Sequence, residues 1–325
     1  MMNKSEIDWC DFTWNPVTGC GRGCAYCYAR KQALRFAGDV RVNITDPQLH
    51  AVDGPKGKIY TLPQPFKNGR GKTIPHPAGF VPTFHEYRLG DIARKKKPAS
   101  IFVCSMADLF GPFIPDEWIE KVFEACKAAP WHHYMFLTKY PERYADLENA
   151  GKLPTASECP NFWYGTTITN PTDPYFHHIG NRVNTFLSIE PIRGSLEFGI
   201  LNGVHWIIVG AETGNQKGKV TPRRSWIAGV VEAAYNAHIP VLLKDSAEPC
   251  AVWGDDLIQD FPPELRPMPE DNSIPHCKGC DQAEVEAQGK RGEKITCKAT
   301  GQHARGRYTR SSPPWCPKRR KNKTE

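Results

Sequence analysis

Three cysteines, Cys20, Cys24 and Cys27, fall within eight residues of the stretch WNPVTGCGRGCAYCY (14–28). Thiolates hold metal ions and iron–sulfur groups, and three are one short of the four that close a structural zinc site or saturate a cubane. Such a loop borrows a fourth ligand, forms a cysteine-rich turn, or fixes three irons and leaves the last open to a small molecule. A second set, Cys277, Cys280, Cys297 and Cys316, follows C-x2-C-x16-C-x18-C with His276 beside its first member. Two thiols from a knuckle and two more after long loops suit a tetrahedral zinc ribbon.

Short apolar runs ending in polar residues stand ready to face these thiols. IFVCSM (101–106), YMFLTK (134–139), FWYGTTI (162–168), TFLSIEPI (185–192), WIIVGAE (206–212) and IPVLLK (239–244) read as strands buried on both faces. Helical patterns lie between them at 115–129, 141–150 and 222–238, with a weaker piece near 173–183. In the first, Trp118, Ile119, Val122, Phe123 and Cys126 share one face. FTWNPV supplies a strand before the cysteine loop. Repeated strand–helix alternation predicts parallel strands, and the length favours a partial (β/α)6 TIM-like barrel. In such barrels the working residues project from the C-terminal strand ends. Those ends carry Ser105, Asp108, Thr138, Thr166, Ser188, Glu190 and Glu212, with Lys139, Thr167 and Lys244 beside them. Glu190 and Glu212 stand out, because each ends a run too apolar to leave a carboxylate unpaired. For each of these residues a cap, a turn or an ion pair is the competing role.

The expected organisation is a barrel over 1–245, a proline-rich linker over 246–275 and a cysteine-rich basic module over 276–325. Residues 46–98, rich in Gly, Pro and Lys, read as an insertion or lid with little core. Charge is uneven: residues 1–270 carry 29 Lys and Arg against 29 Asp and Glu, whereas 271–325 carry 13 against 6. A basic tail with Tyr308 and Trp315 points to nucleic acid as partner, against a merely solvated tail. The first residues are polar, and the longest apolar stretch, HWIIVGA (205–211), is too short for a bilayer. A cytoplasmic protein without membrane contact is therefore expected, and in a reducing cytosol clustered thiols serve as ligands rather than disulfides.

The spacing C-x3-C-x2-C, with Tyr26 before the last cysteine, resembles the signature of the radical S-adenosylmethionine superfamily. TWNPVTGC, FHEYRL, KKPASIFVCSMADLFG, FLTKYPER, FLSIEPI and WIIVGAETG further resemble a phage-associated three-cysteine family of unknown function, distantly similar to spore photoproduct lyase. Two departures are a shortened gap, GRG, between the first two cysteines and LKDS (243–246) where relatives end differently. The resemblance implies a [4Fe-4S] cluster on Cys20, Cys24 and Cys27, with S-adenosylmethionine on the open iron. It also implies an electron donor such as flavodoxin or ferredoxin, and a 5′-deoxyadenosyl radical that attacks substrate. On this reading the strand-end residues bind the nucleotide, and Cys104 is a candidate hydrogen donor to a substrate radical, against the commoner role of a buried structural cysteine. It also makes an auxiliary cluster the rival to zinc at the C-terminal cysteines. The expected function is modification or repair of a nucleic acid or nucleotide. The alternatives are a radical enzyme acting on a protein and a non-redox zinc protein that binds nucleic acid.

Overall fold

The computed structural model describes residues 2–173, 183–196, 201, 203–213, 219–247, 257–265, 283–287, 293–300 and 303–304. Two compact units divide the chain, Met1–Leu265 and Arg266–Glu325. The first unit therefore extends past the boundary expected at 245. Its last stretch is held by a bridge between Leu242 and Gln259, by the Trp206 indole N–H donating to the Asp260 carbonyl at 2.9 Å, and by burial of Leu265.

Strand β1 (Met2–Lys4) runs antiparallel to β2 (Phe12–Trp14), and β3 (Val17–Thr18) leads into the cysteine loop and α1 (Tyr28–Arg35). There follow α2 (Val40–Asn43), β4 (His50–Gly54), β5 (Gly57–Leu62), β6 (Thr83–His85) and α3 (Asp91–Arg94). The regular alternation then begins: β7 (Ser100–Val103), α4 (Asp116–Lys127), β8 (His133–Thr138), α5 (Glu142–Asn149) and β9 (Phe162–Thr167). It closes with β10 (Asn184–Ile189), β11 (Trp206–Val209), α6 (Arg224–Asn236) and β12 (Val241–Leu243). The weaker helical piece near 173–183 lies almost wholly outside the described residues.

Strands β2, β7, β8, β9, β10, β11 and β12 lie side by side in chain order, each parallel to its neighbours. The fold is thus mixed α/β with one large, mostly parallel sheet. Among the described residues this sheet is open, with β1 and β12 at its edges, so the expected barrel appears only as its winding order.

Alternation along each strand sorts its side chains. Ile101, Val103, Tyr134, Phe136, Phe162, Tyr164, Leu187, Ile207 and Val209 pack with Trp118, Val122 and Phe123 of α4, Tyr144 of α5 and Ile227 and Val230 of α6. The opposite face carries Phe102, Met135, Trp163, Phe186, Trp206, Ile208 and Leu242, covered by Trp9 and Leu265. Among the described residues helices therefore cover one face, and the C-terminal end of the sheet is where the site is built.

Residues 46–98 have more core than their composition suggested. Strands β4, β5 and β6 join β3 in a four-stranded sheet, and Leu49, Tyr60, Leu62, Phe66 and Ala78 form a small core of their own. This sheet is bound to the first strands by a buried polar network. The Arg88 guanidinium donates to the Asn15 carbonyl at 2.8 Å, the Trp14 indole to the Arg88 carbonyl at 2.9 Å, and His85 shares a hydrogen bond with Thr18 at 2.9 Å. The segment is a wall fixed beside the cysteine loop.

In the second unit β13 (Ala283–Ala287), β14 (Glu293–Cys297) and β15 (His303–Ala304) form an antiparallel meander, with Cys297 opposite Ala283. Cys277, Cys280 and Cys316 lie outside the described residues. Among the described residues no helix is long and apolar enough to cross a membrane.

Candidate active site

The cysteine loop is held in shape before any ligand is considered. Gly19 has φ of +89°, and a Cβ there would stand 2.3 Å from the Val81 carbonyl oxygen, so only glycine fits. The Gly19 N–H donates to the Met106 carbonyl at 2.9 Å and the Cys20 N–H to the Phe80 carbonyl at 3.1 Å. Farther along, Arg22 Nη1 donates to the Lys139 carbonyl at 2.7 Å and the Tyr28 hydroxyl to the Ser105 carbonyl at 2.8 Å. The loop is thereby pinned to the ends of two strands and to the inserted sheet.

Two of its sulfurs already accept hydrogen bonds. Cys20 Sγ takes the Arg22 N–H at 3.5 Å, and Cys27 Sγ takes the Arg30 N–H at 3.3 Å as the cap of α1. At Cys20 the Arg22 N–H favours a thiolate over a thiol. Burial outweighs this, pushing the Cys20 thiol up to about 12. Among the described residues no three His, Cys, Asp or Glu side chains converge as ligands of one ion. Thiolates sharing one tetrahedral ion at about 2.3 Å would stand within about 4 Å of each other.

Cys20, Cys24 and Cys27 all face a cavity of about 430 Å³, inside the about 300–1,000 Å³ range of small-molecule sites. Trp9, Phe102 and Leu137 form its apolar floor, and its polar wall comes from strand ends. Ser105, Asp108, Thr138, Ser188, Glu190 and Glu212 line it together with Lys139, Thr167 and Lys244. Thr166 does not. It shares the strand face of Phe162 and Tyr164, and among the described residues its buried hydroxyl has no hydrogen-bond partner, while Thr167, one residue on, turns to the cavity. Cys104 is also absent from the lining. Its thiol lies in the helix-side core, where burial pushes it up to about 12, and the residue adopts φ of +61° at the end of β7.

The polar wall is organised in two pairs. Asp108 accepts from the Thr138 hydroxyl at 2.6 Å and from the Lys139 N–H at 3.0 Å, yet burial still raises its carboxyl above the usual range. Across the cavity Lys244 and Glu190 form an ion pair at 2.7 Å, and the Ser188 hydroxyl donates to the other Glu190 oxygen at 3.0 Å. Burial alone would lower the Lys244 ammonium, but the Glu190 charge outweighs it and the net direction is up. Gly210 makes room for this pair: a Cβ there would meet Glu190 Oε1 at 2.9 Å and Lys244 Cδ at 3.0 Å.

Lys139 and Arg193 stand on the Tyr26 ring, 5.6 and 5.7 Å from its centroid, and Arg193 reaches Glu212 at 3.8 Å. Among the described residues the Lys139 ammonium has no ion pair, and burial lowers its pKa. Arg193, Phe80, Gly210 and Asn15 were not legible as site residues. Asn15 accepts from the Met106 N–H at 2.8 Å and from the Ser105 hydroxyl at 3.2 Å, so it joins β2 to the end of β7. Its position after the first strand, in FTWNPV, was the one available signal.

With that geometry in place, sequence comparison supplies the family. A model of the family described as protein of unknown function (DUF5131) matches residues 4–313. The chain belongs to that family. The family's description names no chemistry, and no curated protein matches the chain. Among solved structures, spore photoproduct lyase complexed with dinucleoside spore photoproduct is similar at a TM-score of 0.39 and 9% identity, covering 91% of this chain and 71% of that one. A mutant of that lyase with the same dinucleoside gives a TM-score of 0.35 and 11% identity, with the same coverage.

Proposed function

We propose that this DUF5131 member is a radical S-adenosylmethionine enzyme acting on a nucleic acid or nucleotide. One observation carries the reading: three cysteines of one loop open onto the same cavity as the polar ends of six parallel strands. Cys20, Cys24 and Cys27 would hold a [4Fe-4S] cluster, and the N–H donors on two of the sulfurs suit that role, since such bonds tune cluster potential. When bound, the cluster and S-adenosylmethionine supply one-electron cleavage of a sulfonium and abstraction of a hydrogen atom from substrate.

The chain's own contribution is binding, orientation and exclusion of water. The Lys139 ammonium is suited to a carboxylate, and Glu190 and Glu212 to an ammonium or to sugar hydroxyls. Thr167 adds a hydroxyl donor, Ser188 and Ser105, whose hydrogens go to Glu190 and Asn15, offer acceptor oxygens, and the floor of Trp9, Phe102 and Leu137 keeps the far end of the cavity dry. In the second unit Cys297, half-buried at the end of a hairpin strand, would join Cys277, Cys280 and Cys316 around zinc. The basic tail would contact nucleic acid. Metal analysis after anaerobic purification tests the reading. It predicts about four irons per chain for the loop and one zinc for the tail; zinc alone would instead indicate a non-redox metal protein.

A further inference from the structure

Helix α1 is packed the wrong way round for an isolated surface helix. It buries Ala29 and Ala33 against Met106, Phe80 and Cys27, while Leu34 stays 52% exposed. A helix that only covers a core turns its large apolar residues inward. The same reversal continues past its end, where Phe36 is 48% and Val42 63% exposed. Leu34 and Val40 both lie over buried Gly79, in the connection between β5 and β6, which brings α1 and α2 together on one face. Contiguous exposed apolar surface of this kind marks an interaction site.

The charge around this face is mainly positive. Residues 28–44 carry Arg30, Lys31, Arg35 and Arg41 against the single carboxylate of Asp39, and all five are exposed. Asp39 is engaged in capping α2 through the Arg41 N–H, and its ion pair with the Arg41 guanidinium, at 3.6 Å, is fully open to solvent screening. A partner for this surface must offer an apolar centre with a negative rim. The face also has a fixed relation to the thiols: Cys27 caps α1, and Leu34 lies seven residues on, about 10 Å along the helix.

We infer that the outward face of α1 and α2 is the docking surface for a small acidic one-electron donor protein. The inference rests on the redox reading of the cysteine loop, which requires one electron from outside the chain. The donor is oxidised by one electron, the loop's iron–sulfur group is reduced by one, and no proton or atom changes hands. Such encounters use small interfaces, under about 1,200 Å², and rely on charge for speed. A face of two short helices suits that scale.

The test uses the full chain with reduced flavodoxin as probe, in wild type, in Arg35→Glu/Arg41→Glu and in Leu34→Ser. Binding is measured by calorimetry over a salt series, and cofactor cleavage is driven in parallel by flavodoxin and by dithionite. Expected are wild-type binding that weakens as salt rises, at least about tenfold weaker binding for the charge-reversed variant, and weaker binding with an unchanged salt slope for Leu34→Ser. Flavodoxin-driven cleavage should fall in parallel, and dithionite-driven cleavage should match wild type. Unchanged flavodoxin binding in both variants overturns the inference. So does preferential binding of a single-stranded oligonucleotide to this face, or self-association lost in the variants. A wild type that binds flavodoxin as expected yet cleaves nothing with either reductant upholds the surface and refutes the proposed chemistry instead.

Discussion

Gly210→Ala probes the wall of the cavity with a single methyl group. The added Cβ would lie 2.9 Å from Glu190 Oε1, 3.0 Å from Lys244 Cδ and 3.2 Å from Glu190 Cγ. Glu190 is the end of a flexible side chain, but it is not free to retreat, because Lys244 holds it at 2.7 Å and Ser188 at 3.0 Å. Relief therefore means opening the ion pair or displacing β11, and overpacking of this kind costs about 1–3 kcal/mol. At about 2–4 °C per kcal/mol, Tm should fall by about 2–12 °C. Gly229→Ala is the control: it is exposed within α6, its Cβ would meet nothing within 4 Å, and it should gain about 0.5–1 kcal/mol. Scanning calorimetry of both variants decides the matter. A Gly210→Ala protein that melts with wild type, while Gly229→Ala rises as expected, would refute the tight packing of the Glu190–Lys244 pair.

Asp108→Ala strips the acceptor from the buried Thr138 hydroxyl and from the Lys139 N–H, and should cost about 1–3 kcal/mol in chemical denaturation; Asp108→Asn, which keeps one acceptor oxygen, should cost less. Phe136 sits 5.3–6.0 Å from the rings of Phe110, Phe123, Phe162 and Tyr164, so Phe136→Ala should lose about 3–5 kcal/mol by the same assay. At Asp116 slight burial works to raise the carboxyl, but Lys152 and Arg143 outweigh it and lower the pKa below its ordinary value. Because the folded value is the depressed one, its stabilisation is present above the unfolded value near about 3.9 and is lost as pH falls through the folded one. Asp116→Asn should therefore flatten the acid limb of a Tm–pH curve below about pH 4, and a limb as steep as wild type would contradict this.

The parallel core was legible because strands buried on both faces are continuous apolar runs, and WIIV, TFLSI and FWYGTT each became one. Facing was harder to read. In FWYGTT both threonines lie near the strand end, and a one-residue difference decides whether a side chain shares the face of Phe162 and Tyr164, as Thr166 does, or meets the cavity, as Thr167 does. The inserted sheet was missed because Leu49, Ile59, Tyr60, Leu62 and Phe66 are dispersed among Gly, Pro and Lys. The turn chemistry of DGPKGK (53–58), which spans the β4–β5 hairpin, was read as composition rather than as a connection. Gly210 and Phe80 matter through contacts with residues far away in sequence, and no local pattern announces such contacts.

The most direct measurement is reductant-dependent formation of 5′-deoxyadenosine by anaerobically reconstituted protein, wild type against Cys24→Ala. The account predicts formation by wild type and its loss in the variant, because a loop with two thiolates cannot hold a cubane with one open iron. Equal formation by the two proteins, or none by wild type carrying a full complement of iron, would contradict it.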